Sequence, residues 1–279
     1  MKMKSIFSMS AIIAAALPLL CSCSGKKAVT PEGTLTEKVG DVTVTWIKDN
    51  VASHSMPPAT IFPDASDSLV AAKGVQDGVP STVSVFLVET GGETILFDTG
   101  LGEGKGQLLD KLAELGKKPE DIGLIYLTHY HGDHIGGLLL SDGSPAFPNA
   151  VVFASRAEHE AWMAMEDEVN AMQRQTMEAY GDQLVLFEFG DILPGNVLCI
   201  AAAGHTPGHT VFQAGNLLVV GDILHGAALQ LEDPTICPVF DMDKEAAIEA
   251  RIRILTLARE QGLTIAGMHL PEPAIMKEF

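Results

Sequence analysis

The stretch LTHYHGDHIGG, from Leu127 to Gly137, places three histidines and an aspartate within six residues. Neither a packed core nor a solvated face needs such a cluster, because imidazoles repel one another when protonated and require hydrogen-bond partners when buried. The apolar run GLIYLT precedes the first histidine and predicts a strand that ends there. Histidines gathered where a strand ends predict a metal site.

Three other short apolar runs end in residues of the same kind. AAGHTPGHT carries His205 and His209 around a Pro-Gly turn, LLVVGD ends in Asp222, and LTIAGMH ends in His269. Packing does not explain imidazole or carboxylate groups at the ends of buried strands. Because one ion needs three or four ligands, we expect these loops to complete the site begun at Leu127–Gly137.

THYHGDH matches the H-x-H-x-D-H signature of the metallo-β-lactamase superfamily, and GHTPGH, GDILH and GMHLP resemble its later metal-binding segments in the same order. The resemblance covers nearly the whole chain after the N-terminal segment. It implies an α+β fold, the four-layered αβ/βα sandwich, with metals at one edge between the sheets. The many short strands, with helices in each half of the chain, predict the same layers.

The resemblance implies two metal sites and one shared ligand. His129, His131 and His209 would hold one ion, Asp133, His134 and His269 would hold the second, and Asp222 would bridge both. It leaves His205 to support the turn and gives Asp98 of LFDTG the task of orienting a ligand histidine. The nitrogen and oxygen ligands favour two divalent ions, zinc first, although Mn, Fe or Co would also fit.

The expected activity is that of a dinuclear hydrolase whose bridging hydroxide cleaves an ester, lactone or phosphotriester of a small molecule. We predict Asp222, Asp133 and His225 as the catalytic residues, with a structural hydrogen bond as the alternative role of His225. GDILHGAALQ is similar to a segment of the methyl parathion hydrolase-like group, whereas N-acyl homoserine lactonases usually carry Tyr at the position of His225.

Two alternatives stay open. One is a mononuclear iron oxidoreductase similar to persulfide dioxygenases. The other is a non-catalytic envelope protein that binds metal, an interpretation suggested by the end of the chain. There EPAIMKEF (residues 272–279) replaces the turn and strand that relatives commonly carry.

The N-terminal segment has the pattern of a secretion signal. Lys2 and Lys4 precede a short apolar run, and LCSC resembles a bacterial lipobox ending at Cys23. We predict a lipoprotein signal peptide over residues 1–22, a polar tether over 23–39, and the hydrolase domain over 40–279. The protein would then be anchored in the cell envelope by a lipid on Cys23, with an ordinary cleaved signal or an uncleaved anchor as alternatives.

The net charge of the chain argues against some classes of binding partner, and its cysteines are few. Removal of residues 1–22 changes the net charge from −18 to −20, which disfavours nucleic acid and anionic lipid surfaces. A small-molecule substrate is the expected partner, and a homodimer stays possible. Cys199 is expected in the core and Cys237 in a turn, and the sequence does not decide whether they pair.

Helical periodicity predicts three helices. They lie in QLLDKLAELG, in the Met-rich region that opens with the capping box Ser155–Glu158, and in KEAAIEARIRILTLAREQG. In the last helix, Ile248, Ile252 and Leu255 are expected to face inward. The methionines of the second region would pack in the core or form a flexible wall over a pocket. His54 and His159 are expected to be ordinary surface or hydrogen-bonded residues.

Overall fold

The computed structural model describes residues 30–52 and 54–279, so the predicted signal peptide, the lipid site at Cys23 and the first part of the predicted tether lie outside the described residues. The strands are β1 Thr34–Val39, β2 Val42–Lys48, β3 His54–Met56, β4 Val79–Ser81, β5 Ser84–Thr90, β6 Glu93–Phe97, β7 Leu124–Tyr126, β8 Val151–Ser155, β9 Leu184–Phe187, β10 Ile192–Leu193, β11 Val197–Ala201, β12 Thr210–Ala214, β13 Leu217–Gly221, β14 Thr264–Gly267 and β15 Ile275–Met276. The α-helices are α1 Pro58–Ile61, α2 Asp67–Ala72, α3 Leu108–Glu114, α4 Gly132–Ile135, α5 Arg156–Met163, α6 Asp167–Tyr180, α7 Ala227–Gln230 and α8 Lys244–Gln261.

The first large sheet has the strand order β1-β2-β5-β6-β7-β8-β9. Within this sheet, β1, β2, β5 and β6 pair antiparallel with their neighbours, and β6, β7, β8 and β9 pair in parallel. The alternation in β2 places Val42, Val44 and Trp46 in the same apolar cluster as the second sheet, as the two-residue period predicts. The parallel half contains β7, and the loop after this strand carries His129 and His131.

Residues 34–39 correct the predicted domain boundary. They were expected to belong to the tether, but they form β1, which pairs with β2 along its whole length from Thr34↔Ile47 to Val39↔Val42. The strand lies at the sheet edge and exposes Thr36 and Lys38, while Leu35 and Glu37 are only partly exposed. Edge strands with charged residues resemble linkers in composition, which is why the pattern misled.

The second large sheet has the order β10-β11-β12-β13-β14-β15, with only β13 and β14 parallel. Its last strand, β15, lies in the C-terminal segment that differs from the turn and strand of relatives. Ile275 and Met276 of EPAIMKEF pair antiparallel with Ala266 and Ile265, so the short ending still supplies a strand.

Helices cover the outer faces of both sheets. Trp162 of α5 and Met177 and Tyr180 of α6 pack with α3 in the cluster on the outer face of the first sheet. Ala250, Ile254 and Leu255 of α8 pack on the second sheet. The layers are therefore helix, sheet, sheet and helix, and the predicted four-layered αβ/βα fold is confirmed. Of the methionines in the second helical region, Met177 is buried in the core, as one of the two expected roles predicts, whereas Met172 is 43% exposed.

Helix α8 has the predicted ends but a different inward face. The Asp243 side chain caps Ala246 N, and Gly262 ends the helix with φ +62°. Ile252 was expected inside and is instead 44% exposed, while its neighbour Arg251 is fully buried. Buried polar partners of Arg251, described below, set the rotation of the helix.

A smaller unit, formed by β3, β4, α1, α2 and α7, packs around Phe62 and Leu229 beside the two large sheets. Within residues 30–52 and 54–279, no helix is both long and apolar enough to cross a membrane.

Candidate metal centre

Four loops meet at one edge of the molecule, and both large sheets contribute residues to the site formed there. The loop after β7 carries His129 and His131 and leads into α4, which holds Asp133 and His134. The second sheet supplies three loops, which carry His205 after β11, Asp222 after β13 and His269 after β14. The candidate ligands therefore follow the ends of strands, as the sequence predicts.

The first group of side chains comprises His129, His131, His205 and Asp222, whose ligand atoms all lie within 4.8 Å of one another. His131 Nδ1 lies 3.0 Å from His129 Nε2 and 2.9 Å from His205 Nε2. Asp222 Oδ2 lies 3.6 Å from His129 Nε2 and 3.2 Å from His205 Nε2. Ligands placed tetrahedrally at 2.0–2.1 Å from zinc are roughly 3.3 Å apart, so this spacing suits such an ion.

The second group comprises Asp133, His134 and His269. His269 Nε2 lies 3.4 Å from Asp133 Oδ2, and His134 Nε2 lies 3.8 Å from Asp133 Oδ1. Asp222 also reaches this group, because its oxygens lie 3.3 Å from His134 Nε2 and 3.2 Å from His269 Nε2. Asp222 thus lies between the two groups, where a shared ligand was expected.

His209 departs from the assignment that the resemblance implied. It was expected to be a ligand and His205 a supporting residue, but the structure exchanges the two. His209 Nε2 accepts a hydrogen bond from the backbone N–H of Asp222 at 2.9 Å, so its lone pair is used there. The Pro207–Gly208 turn directs His205 instead toward His131 and Asp222.

The ring nitrogens that point away from the site are held by specific partners. His134 Nδ1 donates to Asp98 Oδ2 at 2.7 Å, which is the orienting role expected for Asp98. His205 Nδ1 donates to Asp241 Oδ1 at 2.9 Å, and His269 Nδ1 donates to the carbonyl of Thr82 at 2.8 Å. These bonds fix each ring with Nε2 directed toward the site, the orientation that ligation by an imidazole requires.

Two buried atoms mark where a cation would fit. His134 Nε2 and Asp222 Oδ1 have no hydrogen-bond partner among the described residues, although both are shielded from solvent. Buried polar atoms are almost always paired, because leaving one unpaired costs about 1–3 kcal/mol. Nitrogen and carboxylate oxygen are ligands that suit zinc and similar divalent ions. The residues therefore fit the metals that the sequence predicts.

The electrostatics also favour positive charge at this point. Burial and the neighbouring His205 lower the pKa of His131 to about 3, which keeps its imidazole neutral. Burial opposes the ionisation of Asp222, but the surrounding imidazoles, His134 first, hold its pKa well below the usual range. Burial likewise opposes protonation of His269, yet the Asp222 and Asp133 carboxylates raise its pKa to about 10. The carboxylates thus require a compensating positive charge, which a metal ion can supply.

A cleft of about 470 Å³ opens onto both groups. His225 lines it, with Nε2 3.1 Å from Asp222 Oδ2 and its ring stacked on His269 at a centroid distance of 4.9 Å. Apolar residues complete the lining, namely Met56, Val83, Leu101 and Phe240.

Sequence reasoning missed several residues near the site. His54 lines the cleft, although it was expected to be ordinary. Asp241 and Arg251 form a buried ion pair at 3.0 Å behind His205. Arg251 also donates to the carbonyls of Ile223, Pro234 and Ile236. The only available signal for Arg251 was a charged residue beside the apolar stripe of α8.

The sequence of residues 78–260 matches the family model of the metallo-beta-lactamase superfamily. The structure is similar to that of AidC, a dizinc quorum-quenching lactonase, with a TM-score of 0.78 and 25% identity over 87% of this chain and 92% of that chain. It is also similar to AbOPH, a hydrolase in the beta lactamase superfamily, with a TM-score of 0.75 and 30% identity over the same shares of the two chains.

Among curated proteins, an N-acyl homoserine lactonase of Bacillus thuringiensis is 26% identical over 204 residues, which cover 63% of this chain and 76% of the lactonase. A match to a ribonuclease of Thermus thermophilus covers only 39% of that protein's length.

Proposed function

This chain belongs to the metallo-β-lactamase superfamily, and from that premise we propose that it is a dinuclear metal-dependent hydrolase of uncharged small-molecule esters or lactones. The observation that carries the proposal is the placement of Asp222 between two groups of ligand atoms, each open to one cleft. The similarity to the dizinc lactonase AidC supports two zinc ions rather than one.

We propose that His129, His131 and His205 hold one ion, that Asp133, His134 and His269 hold the other, and that Asp222 contributes to both. When bound, two divalent ions polarise a substrate carbonyl and lower the pKa of a water to near neutrality. The protein's own contribution is to fix these side chains, since Asp98, Asp241 and the Thr82 carbonyl set the orientation of three of the rings.

Asp133 and His225 both line the cleft and are the two residues proposed to act on substrate. The Asp133 side chain is 32% exposed, more than the other ligand carboxylate, so substrate can reach it, and the neighbouring His134 and His269 hold its pKa well below the usual range, so that it stays ionised. Burial lowers the pKa of His225 to about 4 despite the nearby Asp222 carboxylate. A neutral imidazole adds no charge to the cleft and carries a single N–H, so to donate to a substrate oxygen the Nε2–H of His225 has to turn from Asp222 Oδ2, 3.1 Å away, toward the substrate.

The lining of the cleft supports an uncharged substrate. Apart from the ligand cluster, its walls are mainly apolar, and no Lys or Arg occurs among the described residues that line it. An anionic phosphate or carboxylate group would find no fixed cation there beyond the metals themselves. An ester or lactone with apolar substituents fits these walls better than a phosphodiester does. A neutral phosphotriester remains compatible, and GDILHGAALQ supports placement near the methyl parathion hydrolase-like group.

The proposal is tested by metal analysis and a hydrolysis panel on the same preparation. We expect about two zinc ions per chain and chelator-sensitive hydrolysis of lactones, aryl esters or aryl phosphotriesters, with anionic phosphodiesters poorly cleaved. A single tightly bound iron together with oxygen uptake on glutathione persulfide would instead identify the mononuclear oxidoreductase. Two bound ions with no hydrolysis of any ester would favour the non-catalytic binding protein.

His225 is tested separately, because Asp222, His225 and His269 could also hold an ion together. Substitution His225→Asn should lower turnover while the metal content stays at the wild-type level. His159→Asn, on a half-buried histidine of α5, serves as the control. A loss of one ion in the His225 variant would show that this histidine is a ligand and would overturn its role on substrate.

A further inference from the structure

Glu158 is a buried carboxylate that the proposed chemistry does not use. It lies in the first turn of α5 and is 1% exposed, yet no Lys or Arg among the described residues forms an ion pair with it. We propose that Glu158 is a positioning residue that holds the His129–His131 loop and the His205–His209 loop in register. The inference rests on the proposed metal centre, for which these two loops supply ligands.

Each carboxylate oxygen of Glu158 is committed to one of the loops. Oε1 accepts the backbone N–H of Tyr130 at 2.9 Å, and Tyr130 lies directly between His129 and His131. Oε2 accepts the hydroxyl of Thr206 at 2.8 Å and the backbone N–H of Gly208 at 2.7 Å. One side chain therefore spans the gap between a loop of the first sheet and a loop of the second.

A fourth bond extends the same carboxylate to a ligand ring. Trp162 Nε1 donates to Glu158 Oε1 at 2.7 Å, and the indole meets the His131 ring edge to face at 5.9 Å. Glu158 thus constrains His131 both through the backbone beside it and through the aromatic ring packed against it. Contacts of this kind fix the direction of a ligand more tightly than the loop backbone alone.

The three N–H donors favour an ionised carboxylate here, against the burial that raises the pKa of Glu158 above its usual value. The two backbone N–H groups and the indole N–H can only donate, so Glu158 must accept at both oxygens. Glutamine has nearly the same shape, but its NH₂ group would face donors on one side. The position in the first turn of α5 also favours negative charge. The substitution Glu158→Gln therefore removes the function of the side chain while preserving its volume.

The surroundings are built for close approach to this carboxylate. Ser155 Oγ caps Glu158 N at 3.0 Å and donates to the Gly208 carbonyl at 2.9 Å. A Cβ at Gly208 would lie only 2.0 Å from Glu158 N. The sequence predicts a capping box from Ser155 and Glu158. The serine does cap the helix, whereas the Glu158 side chain holds the histidine loops instead.

The test compares Glu158→Gln with Glu160→Gln, a matched control on the same helix whose side chain is 67% exposed. Zinc affinity is measured on purified full-length protein by competition with a chromophoric chelator, under conditions where both variants are folded by circular dichroism. We expect an affinity about 10–100-fold below wild type for Glu158→Gln and no change for the control. Amide exchange in excess chelator should be faster at Tyr130 and Gly208 in Glu158→Gln only.

Thr206→Val provides a second, milder variant in case Glu158→Gln does not fold, because it removes one of the four bonds and retains the shape of the side chain. We expect its zinc affinity to fall by about tenfold. Wild-type zinc affinity in a folded Glu158→Gln or Thr206→Val, whatever its stability, would overturn the positioning role. If the wild-type protein itself bound no zinc, the proposed function would fail, while accelerated exchange at Tyr130 and Gly208 would still report the loss of the loop contacts.

Discussion

The substitution Asp241→Asn tests whether the buried ion pair behind His205 stabilises the fold as well as the site. Asp241 is 7% exposed, with Oδ1 2.9 Å from His205 Nδ1 and Oδ2 3.0 Å from Arg251 Nη2. Asparagine can still accept from His205 with its oxygen. Its amide NH₂ then faces the guanidinium, so Arg251 keeps three carbonyl acceptors and loses the one counter-charge that residues 30–52 and 54–279 place beside it.

The cost can be worked out from these contacts. Breaking a buried ion pair by neutralising one partner costs about 3–5 kcal/mol, because the other charge stays buried without compensation. With a urea m-value of about 2–3 kcal/mol/M for a chain of this size, the unfolding midpoint should fall by roughly 1–2 M. Asn is also a weaker acceptor for His205, so we expect zinc affinity to fall about tenfold.

The assay is urea unfolding in excess chelator, which removes the stabilisation that bound metal would add. Arg251→Met and the double variant complete a double-mutant cycle. Because the second substitution removes the uncompensated charge left by the first, the double variant should be more stable than the sum of the single losses predicts, by about 1–3 kcal/mol. A midpoint shift that corresponds to less than 1 kcal/mol for Asp241→Asn, or strictly additive losses, would refute the reasoning.

Four further predictions concern other parts of the chain. Asp222→Ala should lose both ions by elemental analysis, since its carboxylate lies within 3.6 Å of histidines of both groups; retention of one tight ion would contradict a shared ligand. Gly208→Ala should destabilise the protein by about 3 kcal/mol or more in urea unfolding, because its Cβ would meet the backbone of α5 at 2.0 Å, and a wild-type midpoint would refute this. Burial raises the pKa of the Cys199 thiol to about 12 and raises that of Cys237, so both stay protonated at pH 8; mass spectrometry should find them alkylated by iodoacetamide only after denaturation, and labelling of the folded protein would be the contrary result. Cells grown with a fatty-acid analogue should label the wild-type chain and not Cys23→Ala, and equal labelling of both would exclude a lipid at this residue.

The position of the site was predictable because its residues follow buried strands. Apolar runs identify β7, β13 and β14 without ambiguity, and the ends of adjacent strands meet at one edge of a fold. The neighbouring strands β13 and β14 therefore bring Asp222 and His269 together, whereas His129 follows β7 of the other sheet and was expected at the site because the resemblance places it there. Helix ends were predictable for a similar local reason, since Asp243 and Gly262 act through the backbone beside them.

The choice between His205 and His209 could not be read from sequence, because both belong to one turn and both are imidazoles. Which ring enters the site depends on the backbone N–H of Asp222, a residue of another loop that occupies His209 Nε2. The prediction of the inward face of α8 was wrong for a similar physical reason, namely polar partners from distant loops. Hydrophobic periodicity favours Ile252 inside, but Asp241 and the carbonyls of a distant loop stabilise Arg251 there instead.

The contribution of both large sheets to one site gives a bound ion a mechanical role. Ligands from the loop after β7 belong to the N-terminal half of the fold, and those after β11, β13 and β14 belong to the C-terminal half. An ion that takes ligands from both acts as a reversible cross-link, and each hundredfold excess of free ion over its dissociation constant adds about 2.7 kcal/mol to the cohesion of the halves. Availability of zinc would then govern catalytic competence and resistance to unfolding together, so that a chain deprived of metal becomes inactive and more susceptible to proteolysis at the same time.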